Sequence, residues 1–510
     1  MMIGAWVTPP ILSSNQQASS TSETGMNKPR NVIMMISDGL GPASVSYARS
    51  YFQHLHQLPY DHQLPLDTIH VGQSRTRSSS TLVTDSAAGA TAFSCGLKTY
   101  NGAVGVDPKG NPCGTVLEAA KLQHHMRTGL VATSRITHAT PASFSAHIRD
   151  RDRENHIAVQ QIGNNPLGRT VDLMFGGGYC HFLPKGTHGS CRKDDRDLFK
   201  EAQEKHGWQT VFYNNRTAFD NETIELPAIA LFADDHMDYE IDRDPAKQPS
   251  LTEMADKALT LLSGSEEGFF LMIEGSRIDM AAHSNDPAGH LHDILEYQNT
   301  ISLVKDFVDQ NPDTIMISTS DHETGGLSLA RQVTPAYPKY LWYPDVVANA
   351  SHSTVFLANM LHKQPKPLDD QYIIETILQQ GLGITDATKK ELRYLKSTTS
   401  EKNLDKYLAD MLSIRAQLGW ATHGHSGVDV NLYAYGVNAD ELRGSHENIF
   451  IGDFISRMLD LNLNETTQSL NHNNNDFHVI PLTDDDKIEY TNHLDKYHSN
   501  PRNLRHLTFD

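Results

Sequence analysis

Four short apolar runs constrain this chain most: NVIMMIS (31–37), GLVATS (129–134), GFFLMI (268–273) and TIMIST (314–319). Each is rich in Val, Ile, Met, Leu or Phe and apolar on both faces, the pattern of strands buried between helix layers in a parallel sheet. Helical periodicity fills several gaps between runs, as in CGTVLEAAKLQ (113–123) and HDILEYQNTISLVKDFVDQ (292–310). Strands alternating with helices predict an α/β fold, doubly wound, with a mostly parallel central sheet and helices on both faces. GVDVNLYAYG (427–436) alternates more cleanly and reads as a further strand. With 510 residues, 38% of them hydrophobic, the chain can bury a large core. We expect a loose N-terminal segment at 1–30, one catalytic domain over 31–465 with insertions at about 180–250 and 331–420, and a polar tail at 466–510.

The residues that follow the strands carry the chemistry. The first run leads into Asp38-Gly39, the second into His138-Ala139-Thr140, the third into Glu274-Gly275 and then Asp279 and His283, and the fourth into Ser320-Asp321-His322. Ligands of open α/β sheets bind beyond the carboxyl ends of the strands, so these groups are expected to converge. Asp279 and His283 are four apart and share one face if helical. The segment His423-Gly424-His425 precedes the alternating strand and offers another imidazole. A His/carboxylate set without thiolates suits catalytic zinc, with magnesium at an all-oxygen position. Singly, each feature has a plainer reading: Asp-Gly is a turn, Asp/His at i,i+4 a surface pair, and Asp85-Ser86 a helix N-cap. Their recurrence at successive strand ends favours a site.

Other classes are excluded or left open. The net charge of −19 argues against nucleic acid as partner, since phosphate neutralisation needs clustered Lys and Arg. There is no G-x-S-x-G elbow and no G-x-x-x-x-G-K-[ST] loop, and GGG at 176–178 reads as a turn. The four cysteines, Cys95, Cys113, Cys180 and Cys191, contain no Cys-x-x-Cys pair; Cys180 and Cys191 are close enough for a local disulfide, and four buried thiols is the alternative. The apolar patch at the N-terminus lacks a basic flank and is a poor signal peptide, but leaves room for a membrane anchor upstream. Four Asn-x-Ser/Thr sites, at Asn215, Asn221, Asn349 and Asn464, are weak evidence for a secreted glycoprotein.

Six ordered motifs resemble the alkaline phosphatase family, nearest its fungal vacuolar (repressible) branch: SDG at 37–39, TDSAAGATA at 84–92, HATPASFSAH at 138–147, EGSRID-x-x-x-H at 274–283, SDHETGG at 320–326 and THGHSG at 422–427. The resemblance implies two Zn2+ and one Mg2+ per chain. Asp279, His283 and His425 would hold the first zinc; Asp38, Asp321 and His322 the second; Thr140 and Glu274 the magnesium, with Asp38 bridging. Ser86 would be the nucleophile and become phosphoserine. Arg151 would clamp the phosphate, although Arg149 and Arg153 flank it and leave the register open. Asp85 would orient Arg151 or its loop. Two positions depart from the pattern: His138 stands where some members carry Asp, and Met280 stands where Lys or His is common and reaches phosphate.

The expected activity is hydrolysis of small phosphate monoesters, of broad specificity and with an alkaline optimum. A phosphodiesterase or nucleotide pyrophosphatase on the same scaffold, or an inactive binding homologue, is the alternative. A homodimer in the vacuole or another extracytoplasmic compartment is implied by the resemblance.

Overall fold

A computed structural model describes residues 28–221 and 223–472. Its strands are β1 (Asn31–Ile36), β2 (His70–Arg75), β3 (Arg127–Arg135), β4 (Leu173–Gly177), β5 (Thr210–Tyr213), β6 (Ala228–Leu231), β7 (Phe269–Glu274), β8 (Thr314–Thr319), β9 (Glu323–Thr324), β10 (His425–Ser426), β11 (Val430–Gly436) and β12 (Gly444–Glu447). Ten of them form one sheet in the order β12-β2-β11-β8-β1-β7-β3-β4-β6-β5; β9 and β10 pair separately. β11 runs antiparallel to both neighbours, β2 and β8, and the other adjacent pairs are parallel.

The centre of the sheet is made by the four apolar runs, which become adjacent strands in the order β8-β1-β7-β3. Residues 32–36 of β1 are fully buried. Because side chains alternate across a strand, Ile33 and Met35 enter one apolar cluster with Val131, Leu271 and Ile273. Val32, Met34 and Ile36 enter another with Leu130, Met272 and Ile317. Two cores, one per face, are the physical content of double winding. The register brings Ile36 level with both Glu274 and Thr319, so the segments leaving these strands start side by side.

Two of the expected segments differ in the structure. Residues 180–250 are not an appendage, because they supply β5 and β6, the outermost two strands at one end of the sheet. Each is only four residues long, TVFY and AIAL, too short for periodicity to register among polar neighbours. The stretch 331–420 is largely helical, as expected, and includes Thr354–Lys363 and Glu401–Ala416, which pack together. Helix Leu463–His472 crosses the expected tail boundary at 466 and packs on helix Val116–His124. Most of the expected N-terminal segment and the chain beyond residue 472 lie outside the described residues. No described helix is long and apolar enough to cross a membrane.

Candidate metal and phosphate site

Helix Ser86–Cys95 starts the site. Asp85 is its N-cap, with Oδ1 accepting from Ala88 N–H at 3.0 Å, and every residue of the helix is buried. The Ala/Gly composition has a steric cause. A methyl group built on Gly89 would lie 2.9 Å from Asp321 Cβ, so the helix backs directly onto the strand end that carries Asp321. We predict that Gly89→Ala pushes that carboxylate away, costs about 1–3 kcal/mol through overpacking and weakens metal retention in equilibrium dialysis. Unchanged retention would show that the contact is not needed. On the opposite side, Gly39 has φ +76° and lies so close to helix Arg277–Ser284 that a Cβ would meet Asp279 Cα at 2.7 Å. Glycine there satisfies both the left-handed turn after Asp38 and the approach of Asp279.

Among the described residues, three groups of candidate ligands lie at this site: Asp279, His283 and His425; Asp38, Asp321 and His322; and Asp38, His138 and Glu274. Asp38 belongs to two of them. In the first, His283 Nε2 is 3.3 Å from Asp279 Oδ2 and 3.2 Å from His425 Nε2, and the Nδ1 atoms of His283 and His425 donate to the backbone carbonyls of His423 and Thr84. Thr324, which the sequence reading did not single out, donates to Asp279 Oδ1 at 2.5 Å. In the second, His322 Nε2 lies 3.5 Å from Asp38 Oδ1 and 3.3 Å from Asp321 Oδ2. The His322 and His425 rings stack at 3.5 Å, which joins these two groups. His423 stays outside; its Nδ1 lies 2.8 Å from the His283 carbonyl.

Ser86 Oγ stands 3.0 Å from His322 Nε2, at the edge of the second group. Arg151 Nη1 donates to Asp85 Oδ2 at 3.0 Å, and Nη2 lies 3.1 Å from His138 Nε2. The same Asp85 oxygen accepts from Gly102 N–H. Asp85 therefore caps the serine's helix with one oxygen and holds Arg151 with the other. Arg149 and Arg153 turn elsewhere, to the Gly110 carbonyl and to Asp150. Met280 offers no charge; its sulfur faces Arg277, whose guanidinium lies over Tyr239.

The buried polar atoms test whether this chain can hold cations. Among the described residues, neither oxygen of Asp38 has a hydrogen-bond partner, nor do Asp321 Oδ2, Glu274 Oε1, Thr140 Oγ1 and His138 Nδ1. Unpaired buried carboxylates are costly, and here they are concentrated where the candidate ligands converge. Their protonation shows the strain. Burial raises Glu274 to about 7 and Asp321 to about 7. Burial, with Asp321 and Asp279 adding repulsion, raises Asp38 as well. Burial would also raise Asp279, but His283 overrides it and holds it well below the ordinary carboxylate range. Burial and Arg151 lower His138 to about 3, which keeps its ring neutral. Imidazole nitrogens and converging carboxylates make a donor set that fits divalent metals.

The alkaline phosphatase family model matches residues 29–461. This chain belongs to the alkaline phosphatase family. It is a phosphoric monoester hydrolase of the metal-dependent kind. It is 48% identical over 483 residues to the repressible alkaline phosphatase of Saccharomyces cerevisiae, covering 88% of this chain and 85% of that one. With the alkaline phosphatase of Schizosaccharomyces pombe it shares 49% identity over 462 residues, covering 89% and 85%. The crystal structure of a cold-active alkaline phosphatase from Shewanella sp. superposes with a TM-score of 0.72 at 30% identity, covering 84% of this chain and 99% of that one. In this alkaline phosphatase fold the candidate ligands of these groups come together from segments far apart in sequence. His138, expected to converge with the others from its place after the second run though the family pattern marks it as a departure, lies in a candidate group with Asp38 and Glu274.

Proposed function

We propose that the enzyme hydrolyses phosphate monoesters by way of a phosphoserine on Ser86. In this reading Asp279, His283 and His425 hold one Zn2+, and Asp38, Asp321 and His322 hold a second. Glu274 and Thr140 hold Mg2+ together with Asp38, and His138 lies beside them. The observation that carries the reading is the position of Ser86 Oγ, 3.0 Å from His322 at the edge of one ligand group and across from Arg151 and its Asp85 anchor. When bound, such ions act as Lewis acids and lower the pKa of oxygens bound to them.

The chain's own residues then divide the work. Arg151 presents its planar fork to two phosphate oxygens, preoriented by Asp85. The N-terminus of helix Ser86–Cys95 directs its dipole and free N–H groups at the same anion. Ser86 Oγ attacks phosphorus, the bond to the ester oxygen breaks, and the alcohol departs on the opposite side. Water then cleaves the Oγ–P bond, which returns the serine and releases phosphate. Turnover rises toward alkaline pH because both attacking oxygens must give up protons. The Cys180–Cys191 disulfide supports an extracytoplasmic compartment, of which the vacuole is the one implied by the fungal resemblance, as is a homodimer.

Hydrolysis of p-nitrophenyl phosphate and of its bis-ester, with and without chelator, tests the activity; equal or faster diester cleavage overturns it. Arg151→Ala is expected to lower kcat/KM for the monoester about 10²-fold, mostly through KM, because a bidentate charge-assisted contact is lost. An unchanged KM would take the clamp role from Arg151. His138→Asp replaces a nitrogen donor by a hard oxygen beside Asp38 and Glu274, which favours Mg2+ over zinc at that position. Metal analysis after dialysis against both ions is expected to show more magnesium per chain than in the wild type.

A further inference from the structure

At His283, on the edge of the first ligand group, lies a cavity of about 420 Å³ lined in part by His283, Ser284, Lys402 and Lys406. The lysines come from helix Glu401–Ala416, within the stretch 331–420. This helix is tied to the site because Ser284, next to His283, donates to Asp405 Oδ2 at 2.7 Å. The cavity also contains two carboxylates, but both are engaged. Asp405 accepts from Ser284 and from Thr354 Oγ1, and Glu401 Oε1 accepts from Asn359 Nδ2. Neither ammonium has a hydrogen-bond or ion-pair partner among the described residues. The cavity therefore presents two ammonium groups outside ion-pair distance of any described carboxylate, Lys406 being within electrostatic reach of Asp405, on a chain whose net charge is −19.

Its location gives the cations a use. Ser86 stands at the His322 side of the site. The Asp279, His283 and His425 group lies beyond the His322–His425 ring stack. An in-line displacement sends the leaving oxygen away from the nucleophile, toward His283. We infer that the cavity at Lys402 and Lys406 is a leaving-group subsite for phosphate monoesters whose alcohol carries a second anionic group, such as a further phosphate. This deepens the phosphomonoesterase reading and rests on it. Lys402 and Lys406 are specificity residues that touch the far end of the substrate and take no part in the bond changes. A neutral alcohol leaves them unused.

The test compares 1,5-pentanediol bisphosphate with pentyl phosphate, which share the reacting end and differ only in the second phosphate. The metal-loaded enzyme is assayed as wild type, as Lys402→Ala/Lys406→Ala and as Lys402→Arg/Lys406→Arg. The alanine pair is expected to lose about fivefold in kcat/KM for the bisphosphate, as two exposed ion pairs would give. Pentyl phosphate should change by less than about twofold, and the arginine pair should restore the bisphosphate rate. Raising salt should weaken the wild-type preference for the bisphosphate and leave the alanine pair unaffected. A bisphosphate advantage that survives the alanine pair, or an equal loss on both substrates, overturns the subsite. Pentyl phosphate turnover by the wild type reports separately on the phosphomonoesterase reading: its absence would defeat that reading and the subsite with it.

Discussion

Ser86→Ala is expected to lower kcat for p-nitrophenyl phosphate by at least about 10³-fold, with little change in melting temperature. The two halves of that expectation have separate causes. The hydroxyl's closest side-chain contact is His322, and it is the oxygen that attacks phosphorus in the proposed reaction. The helix it opens is capped by the preceding residue, Asp85, whose bonds to Ala88 and Gly102 survive the substitution. Asp85→Ala should do the reverse of a clean deletion, since it removes the cap and the Arg151 anchor together. Acid quenching during turnover should trap phosphate on the wild-type chain, and peptide mapping should find it on Ser86. Substantial turnover by Ser86→Ala, or label on another residue, would end the nucleophile assignment.

Removal of metal is expected to abolish turnover to a similar extent and also to give stability a pH slope. Burial holds Glu274 and Asp321 protonated up to about 7 in the metal-free fold, against an ordinary carboxylate range near 4. Between those values the folded chain binds more protons than the unfolded chain. Stability therefore falls as pH rises through that window. His283 slopes the same way: burial opposes its charge, but Asp279 raises it to about 9, and the stability it contributes below about 6.5 is lost by about 9. Asp279, held low, matters only in acid, where stability falls as it protonates. A bound cation takes the place of these protons, so loading should release protons and flatten the slope. Below about 6.5 the buried neutral rings of His138 and His290 slope the opposite way, so dialysed enzyme should melt lower at pH 8.5 than at pH 6.5, while reloaded enzyme melts alike at both. A metal-free enzyme equally stable at both values would mean that the buried carboxylates are not holding protons.

The core of the fold was legible because its signal is local. β1, β3, β7 and β8 are apolar on both faces and at least six residues long, enough for the pattern to register. β5, β6, β4 and β12 were not legible: they are four or five residues long, and what makes them strands is the neighbour each pairs with. The same distinction runs through the site. Asp279 and His283 could be joined from their spacing alone, and helix Arg277–Ser284 bears that out. The cystine Cys180–Cys191 was one of two open readings, and geometry decided it, leaving Cys95 and Cys113 as buried thiols.

From the sequence alone came the α/β class, the strand-end placement of the acidic and imidazole side chains, and the family resemblance that named Ser86 and Arg151. These rest on residue type and short-range spacing, which a linear pattern carries. Only the tertiary structure put distances on the Asp38 bridge and the Asp85–Arg151 contact that the resemblance implied, placed His138 in a group with Asp38 and Glu274, and gave Asp85 both the cap and the anchor at once. It also brought Lys402 and Lys406 beside His283. Each of these depends on distances between segments tens to hundreds of residues apart. Such distances are set by sheet register and by glycines at contact points, Gly39 against Asp279 and Gly89 against Asp321, which no local pattern encodes.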